Sequence, residues 1–346
     1  MNSRTLPDDS CRYEGCTLTG ALSVTTQIRD AVTVVHGPAG CAHHNFSILH
    51  AISAEQERPF LPPLVSTALG ENDVIFGGEE RLGETLDRVA RQGPAAIFVL
   101  STCITETIGD DCGAVCGEER GVPVIPVPSA GFFGGAFSEG LNGALSTIIG
   151  LCDGEMGEET TVNIIGEKNL EFEVDQNYAE VERLLSLIGV RVNLRFVRSI
   201  AFDDLKRVGD ARLNILREPA LRAAGDELKE RFGTPFVDSF PIGLEGSIAF
   251  LQEVGDALGV PVDDAVEAET ARQTEMLASF EDMRGMSVSP DSFSLGSLEY
   301  APVRRVMDAL DLQSDSGDRR PLPYSPPVGT AGIRRLLHRW RRGSRV

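Results

Sequence analysis

Three cysteines, Cys16, Cys41 and Cys103, stand where apolar runs meet glycine-rich or hydroxyl-rich turns: E-G-C-T-L-T-G, H-G-P-A-G-C-A-H-H-N and V-L-S-T-C-I-T-E-T. Glycine has no Cβ to clash, so the backbone at such turns can close around a bulky inorganic ligand. Thiolates are soft donors suited to iron–sulfur clusters, and three from one chain leave a cluster in need of at least one more. That shortfall points to a metal site completed by a second subunit. The other cysteines carry less. Cys112 and Cys116 lie one helical turn apart and suit a packed helix face, Cys11 is an alternative ligand near Cys16, and Cys152 suits core or linker. Seven cysteines, an odd number, argue against a disulfide framework.

The elements expected to carry these residues alternate short apolar strands with amphipathic helices, the pattern of parallel α/β units. Strands are predicted at Ala31–His36, Ala95–Leu100 and Pro123–Val127, with a helix at Glu79–Gln92 that sets Leu82, Leu86 and Val89 on one face. Cys41 and Cys103 fall just past strand ends, where open α/β sheets gather ligands. A second unit is predicted from Thr161, with strands at Val162–Gly166, Val190–Phe196 and Arg212–Leu216 and helices at Tyr178–Ile188, Leu221–Phe232 and Ser247–Leu258. A third, abbreviated piece holds a strand at Met286–Ser289, a helix near Tyr300–Leu310, a proline-rich segment and a basic helix at Ala331–Arg342. The expectation is two to three Rossmann-like parallel-sheet domains: 1–150 with the cysteines, 160–262, and 263–346.

Composition narrows the class. The 346 residues carry 42% hydrophobic side chains, no apolar stretch long enough to span a bilayer, and no apolar leader in M-N-S-R-T-L-P-D-D-S. A cytoplasmic protein is expected. Net charge is −20, but eight arginines and no acid fall between Arg319 and Val346, which leaves 24 basic against 52 acidic residues in the rest. Such an acidic body repels nucleic acid.

Taken in order, E-G-C-T-L-T-G-A (14–21), H-G-P-A-G-C (36–41), E-N-D-V-I-F-G-G-E-E-R-L (71–82), S-T-C-I-T-E-T-I-G-D-D (101–111), S-A-G-F-F-G-G (129–135), V-N-I-I-G-E (162–167) and P-F-V-D-S-F-P-I-G (235–243) resemble the nitrogenase component 1-like superfamily. The resemblance covers nearly the whole chain. It implies that Cys16, Cys41 and Cys103 match the interface cluster ligands, and that the cluster takes electrons from an ATP-hydrolysing iron protein. The three lysines, Lys168, Lys206 and Lys229, form no G-K-[ST] phosphate loop, so ATP use falls to that partner. In nitrogenase α-subunits a cysteine of the second domain and a histidine of the third hold the large metal cofactor. Here no cysteine follows Cys152, and the one histidine beyond His50 is His338.

Within the superfamily the chain most resembles the Ni-sirohydrochlorin a,c-diamide reductive cyclase component of coenzyme F430 biosynthesis, an enzyme of methanogens that reduces and cyclises a nickel tetrapyrrole. A cofactor-assembly scaffold without turnover of its own is the alternative. Tetrapyrrole chemistry needs protons, for which His44, Glu106 and Asp110 are candidates. Phe132 and Phe133 are candidates to stack on a flat macrocycle, against a bland role as core aromatics. Arg334 and Arg335 are candidates for substrate carboxylates, against simple solvation of a helix. If the chain is a homodimer with one [4Fe–4S] cluster on its twofold axis, ligands come in matched pairs and one of the three cysteines does not ligate.

Overall fold

The apolar runs of the first half become strands of a parallel sheet because each is followed by a helical crossover that returns the chain to start the next strand in the same direction. A computed structural model of the chain describes residues 15–55, 61–155, 157, 160–288, 301–314 and 326–343. Cys11 and the proline-rich segment before Pro326 lie outside them, as do Ser289 and Tyr300 at the ends of two expected elements. The chain forms two compact units, one of residues 1–154 with 194–209, the other of residues 155–193 with 210–346.

The first unit runs α1 (Thr17–Thr25), β1 (Val32–His36), α2 (Ala39–Glu55), β2 (Leu64–Ser66), α3 (Glu71–Phe76), α4 (Glu79–Ala90), β3 (Ile97–Ser101), α5 (Cys103–Ile108), α6 (Cys112–Cys116), β4 (Val124–Val127), a 3-10 turn (Gly131–Phe133) and α7 (Phe137–Leu151). Its sheet is ordered β2-β1-β3-β4, with every pair parallel. Val32 pairs with Ile97 and His36 with Ser101, so β1 and β3 end level with one another. All five residues of β3 are buried, as a strand covered on both faces requires. On α4, Leu82 and Leu86 are fully buried and Val89 nearly so. Each such side chain contributes on the order of 1.5–3 kcal/mol.

Two glycines let α1 lie against α7 backbone to backbone. A Cβ on Gly20 would meet the Phe137 carbonyl oxygen at 2.0 Å, and one on Gly140 would meet that of Thr17 at 1.9 Å. The later segment of this unit is held to its early residues. Ile28 bridges to Ile200, the Arg29 amide donates to the Ile200 carbonyl at 2.9 Å, and the Phe202 amide donates to Asp30 Oδ1 at 2.7 Å.

The second unit holds β5 (Thr161–Ile165), α8 (Val174–Leu187), the start of β6 (Arg191–Phe196, divided between the units after Asn193), β7 (Leu213–Leu216), α9 (Arg222–Phe232), β8 (Phe236–Val237), α10 (Gly243–Leu258), α11 (Asp263–Ala278), β9 (Ser287–Val288), α12 (Ala301–Ala309), β10 (Gln313–Ser314) and α13 (Gly329–Gly343). Four strands form a sheet ordered β6-β5-β7-β8. Val162, Ile164, Leu213 and Ile215 pack there under Val181, Leu184, Phe250 and Val254. A separate apolar cluster gathers Met276, Phe280, Val303, Val306, Leu336 and Trp340, beside the short parallel pair β9–β10. Buried Glu269 accepts from Arg183 at 2.7 Å and from Thr330 at 2.5 Å, which ties α8, α11 and α13 together. No helix among the described residues is long and apolar enough to cross a membrane.

Candidate metal centre

Each of the three cysteines is placed by the start of a helix. Cys16 precedes α1 in extended conformation, bridges to Ala136 and accepts from the Gly20 amide at 3.2 Å. Cys41 lies in the first turn of α2, where Asn45 Nδ2 donates to its carbonyl at 2.8 Å. Cys103 opens α5, whose start is held by Thr105 Oγ1 accepting from the Thr102 amide at 2.9 Å.

The fold brings these three helix starts together. Thr17 Oγ1 donates to the Gly131 carbonyl at 2.6 Å. On its other side Gly131 abuts Cys103, where a Cβ would stand 3.0 Å from the Cys103 amide nitrogen. Cys41 feels both other thiols: burial pushes it above the usual thiol range, and Cys103 and then Cys16 push it further the same way. All three are half-buried. Burial and like charge therefore keep Cys41 protonated when it has no cation to meet, and a metal centre would relieve both. Among the described residues no three His, Cys, Asp or Glu side chains are grouped tightly enough for a single metal ion. Three soft thiol donors carried by neighbouring helix starts are the kind of ligand an iron–sulfur centre takes.

The residues beside the thiols divide into buried and exposed. His36 is fully buried, with Nε2 2.9 Å from Asp110 Oδ2 and Nδ1 3.2 Å from Thr67 Oγ1. Burial lowers its pKa more than Asp110 raises it. Asp110 Oδ1 also accepts from the Gly78 amide at 3.0 Å, so this carboxylate joins β1 to the start of α4. Glu106 is exposed and accepts from Ser101 Oγ at 2.6 Å; the same hydroxyl faces the Ser129 carbonyl. His44 is exposed on α2, three residues past Cys41 and on the same helix face. Phe132 and Phe133 are each 72% exposed, and Phe76 at the end of α3 is 84% exposed. These are surface aromatics, not core.

Cys112 and Cys116 are packed on α6 as a helix face, with Cys116 buried, and Cys152 is buried where it donates to the Ile148 carbonyl. Arg334 and Arg335 belong to the other unit. Arg334 is exposed, whereas Arg335 donates to Glu173 at 3.0 Å and to Asn177 at 2.6 Å; Arg339 also pairs with Glu173. Two residues that matter here escape a reading by residue type: Thr17 and Gly131 carry no obvious chemistry, and the glycine-rich S-A-G-F-F-G-G run was the one signal for the latter.

A family model described as nitrogenase component 1 type oxidoreductase matches residues 16–288. The chain is 34% identical over 261 residues to the nitrogenase iron-molybdenum cofactor biosynthesis protein NifE of Clostridium pasteurianum, across 72% of this chain and 55% of that protein. It is 28% identical to the nitrogenase molybdenum-iron protein alpha chain of Methanothermobacter marburgensis, across 90% and 70% respectively. A solved structure, nitrogenase Cp1 at pH 6.5, superposes with a TM-score of 0.71 at 22% identity over 90% of this chain and 62% of that one. The chain thus spans little more than half the length of its NifE relative, and it shares the nitrogenase fold. It belongs to the nitrogenase component 1 type oxidoreductase family.

Proposed function

We propose that this chain is the catalytic component of a nitrogenase-like two-component reductase. Two of Cys16, Cys41 and Cys103 from each subunit of a homodimer hold one [4Fe–4S] cluster at the interface, which receives electrons from an ATP-hydrolysing iron protein. Its substrate is a nickel tetrapyrrole, Ni-sirohydrochlorin a,c-diamide, which is reduced and cyclised for coenzyme F430. The observation that carries the cluster is the convergence of three half-buried thiols through Thr17, Gly131 and the mutual influence on Cys41. The exposed Phe76, Phe132 and Phe133 support the interface, because aromatic side chains are enriched where partners dock.

Bound there, a [4Fe–4S] cluster supplies one-electron transfer. The chain itself does the rest. Gly131 lets the loop close on Cys103 without a side chain intervening. The buried His36–Asp110 pair fixes the end of β1 relative to α4 and so holds the helix starts in register. His44 and Glu106, both exposed, are the groups able to exchange protons with solvent near the thiols. A second reading, a cofactor-assembly scaffold without turnover, is favoured by the 34% identity to NifE. The missing second-unit cysteine weighs against it, because no thiolate there would anchor a maturing cofactor.

Anaerobic purification with iron and sulfide quantitation and EPR of the dithionite-reduced protein tests the proposal. Wild type is expected to hold about four irons per dimer with a reduced [4Fe–4S] signal. That signal should be lost in at least two of Cys16→Ser, Cys41→Ser and Cys103→Ser. Protein without iron, or a cluster indifferent to all three changes, refutes it. Tetrapyrrole turnover with the iron protein then separates reductase from scaffold.

A further inference from the structure

The arginines of α13 divide into two sets. Those turned toward the second unit are matched by its acids: Arg335 and Arg339 pair with Glu173, and Arg341 pairs with Asp282. The same side of the helix sends Ile333, Leu336, Leu337 and Trp340 into the apolar cluster. What remains is a row on the outer face, Arg334, His338 and Arg342, each exposed and four residues from the next. A four-residue step on a helix rises about 6 Å, so the row is about 12 Å long. Among the described residues no acid pairs with Arg334 or Arg342. The His338 ring stands edge-on to the Phe280 ring at 4.9 Å between centres, which fixes the middle of the row. Burial, then Arg334, Arg341 and Arg342, hold its imidazole below the ordinary histidine range. Like charges at this spacing destabilise a helix. Acids outnumber lysines and arginines by 52 to 32 in the chain, so composition does not force the row to stay unmatched.

We propose that the outer row of α13 is a docking face for an acidic helix of a partner protein, one with carboxylates at every fourth residue. Such a helix repeats the same rise of about 6 Å, so its acids fall opposite Arg334, His338 and Arg342. The two guanidinium forks each suit a carboxylate bidentately. Charge and shape select this occupant over other anions. A chain of net charge −20 repels nucleic acid or an anionic membrane across its whole surface, whereas a short acidic row meets only the cations within a screening length of about 8 Å. The apolar side of α13 is packed in the second unit and is not free to enter a lipid interface. Small ligands need a concave site, and an exposed helix face is convex. The proposal stands on the second unit alone and does not depend on the metal centre or on the tetrapyrrole.

Fluorescence anisotropy on the full chain tests it, with a labelled alanine-based helical peptide that carries glutamates at every fourth position. Wild type is expected to bind saturably, with an affinity that falls as salt is raised. Reversing both ends of the row, Arg334→Glu with Arg342→Glu, should weaken binding about tenfold or more, and Arg334→Gln with Arg342→Gln should weaken it less. Arg88→Glu with Arg91→Glu makes the same change of net charge on exposed residues of the first unit and should leave binding in place. Melting curves verify that the variants are folded. A peptide of the same composition with its glutamates spread around the helix should bind more weakly. No saturable binding to wild type, an equal loss in the first-unit variant, or equal binding of the scattered peptide each overturns the proposal. Tighter binding of duplex DNA or of phosphatidylserine vesicles overturns it in favour of a polyanion, and a wild-type dimer lost on reversing the row overturns it in favour of a second copy.

Discussion

At the scale of single residues, the six cysteines of the described residues sort by what surrounds them. Burial, then Cys116, Asp110 and Glu106, push the Cys112 thiol up to about 12, and burial pushes Cys116 up to about 11 against the pull of Arg120. Both remain protonated at neutral pH and are poor ligands and nucleophiles. In metal-free protein at about pH 8, iodoacetamide should modify Cys112 and Cys116 roughly a hundredfold or more slowly than an unperturbed thiol. Peptide mapping by mass spectrometry reads this directly, and equal rates would show the α6 thiols to be accessible and acidic. The cysteines themselves were legible from local context, because a thiol beside glycine and hydroxyl residues is visible in one stretch of chain. Their supports were not. Thr17 and Gly131 meet across 114 residues.

At the scale of elements, period and composition carried the strands and several helices. The apolar runs of β1, β3 and β4 and the Leu82–Leu86–Val89 face of α4 follow from spacing alone. What composition hid was the α1–α7 pair. The α7 sequence F-S-E-G-L-N-G-A-L-S-T-I-I-G-L is too rich in glycine for propensity to favour a helix, and it is held by close approach to α1 at Gly140, with Gly20 as the matching glycine on α1. Gly140→Ala would press a methyl onto the Thr17 carbonyl at 1.9 Å. The helices must separate, at a cost of about 1–3 kcal/mol or more. The expected result is a lower melting temperature together with reduced iron content, since Cys16 rides at the head of α1. An unchanged melting temperature would show that α1 and α7 have slack that the distances deny. The three-residue β2 was equally hidden: it is too short for alternation and is recruited by pairing Thr33–Val35 with Leu64–Ser66.

At the scale of the whole molecule, a chain with exposed Phe76, Phe132 and Phe133 is expected to associate. Combining Phe76→Ser with Phe133→Ser should shift the monomer–dimer midpoint at least tenfold toward monomer, since buried aromatic anchors are commonly worth about 2 kcal/mol or more each. Sedimentation velocity measures the shift, and an unmoved midpoint places the interface elsewhere. The basic charge at the C-terminus, which invites a reading as a ligand surface, is partly consumed inside the second unit, where Glu173 takes Arg335 and Arg339. The return of residues 194–209 to the first unit bears on synthesis. Since Ile200 and Phe202 complete contacts begun at Ile28, Arg29 and Asp30, a ribosome that has released only the first 154 residues has made every cysteine of the chain but not the segment that closes their unit. Under the proposed function, a cluster delivered to the closed unit would arrive only after β5, α8 and β6 have been translated, and not at the moment the last cysteine emerges.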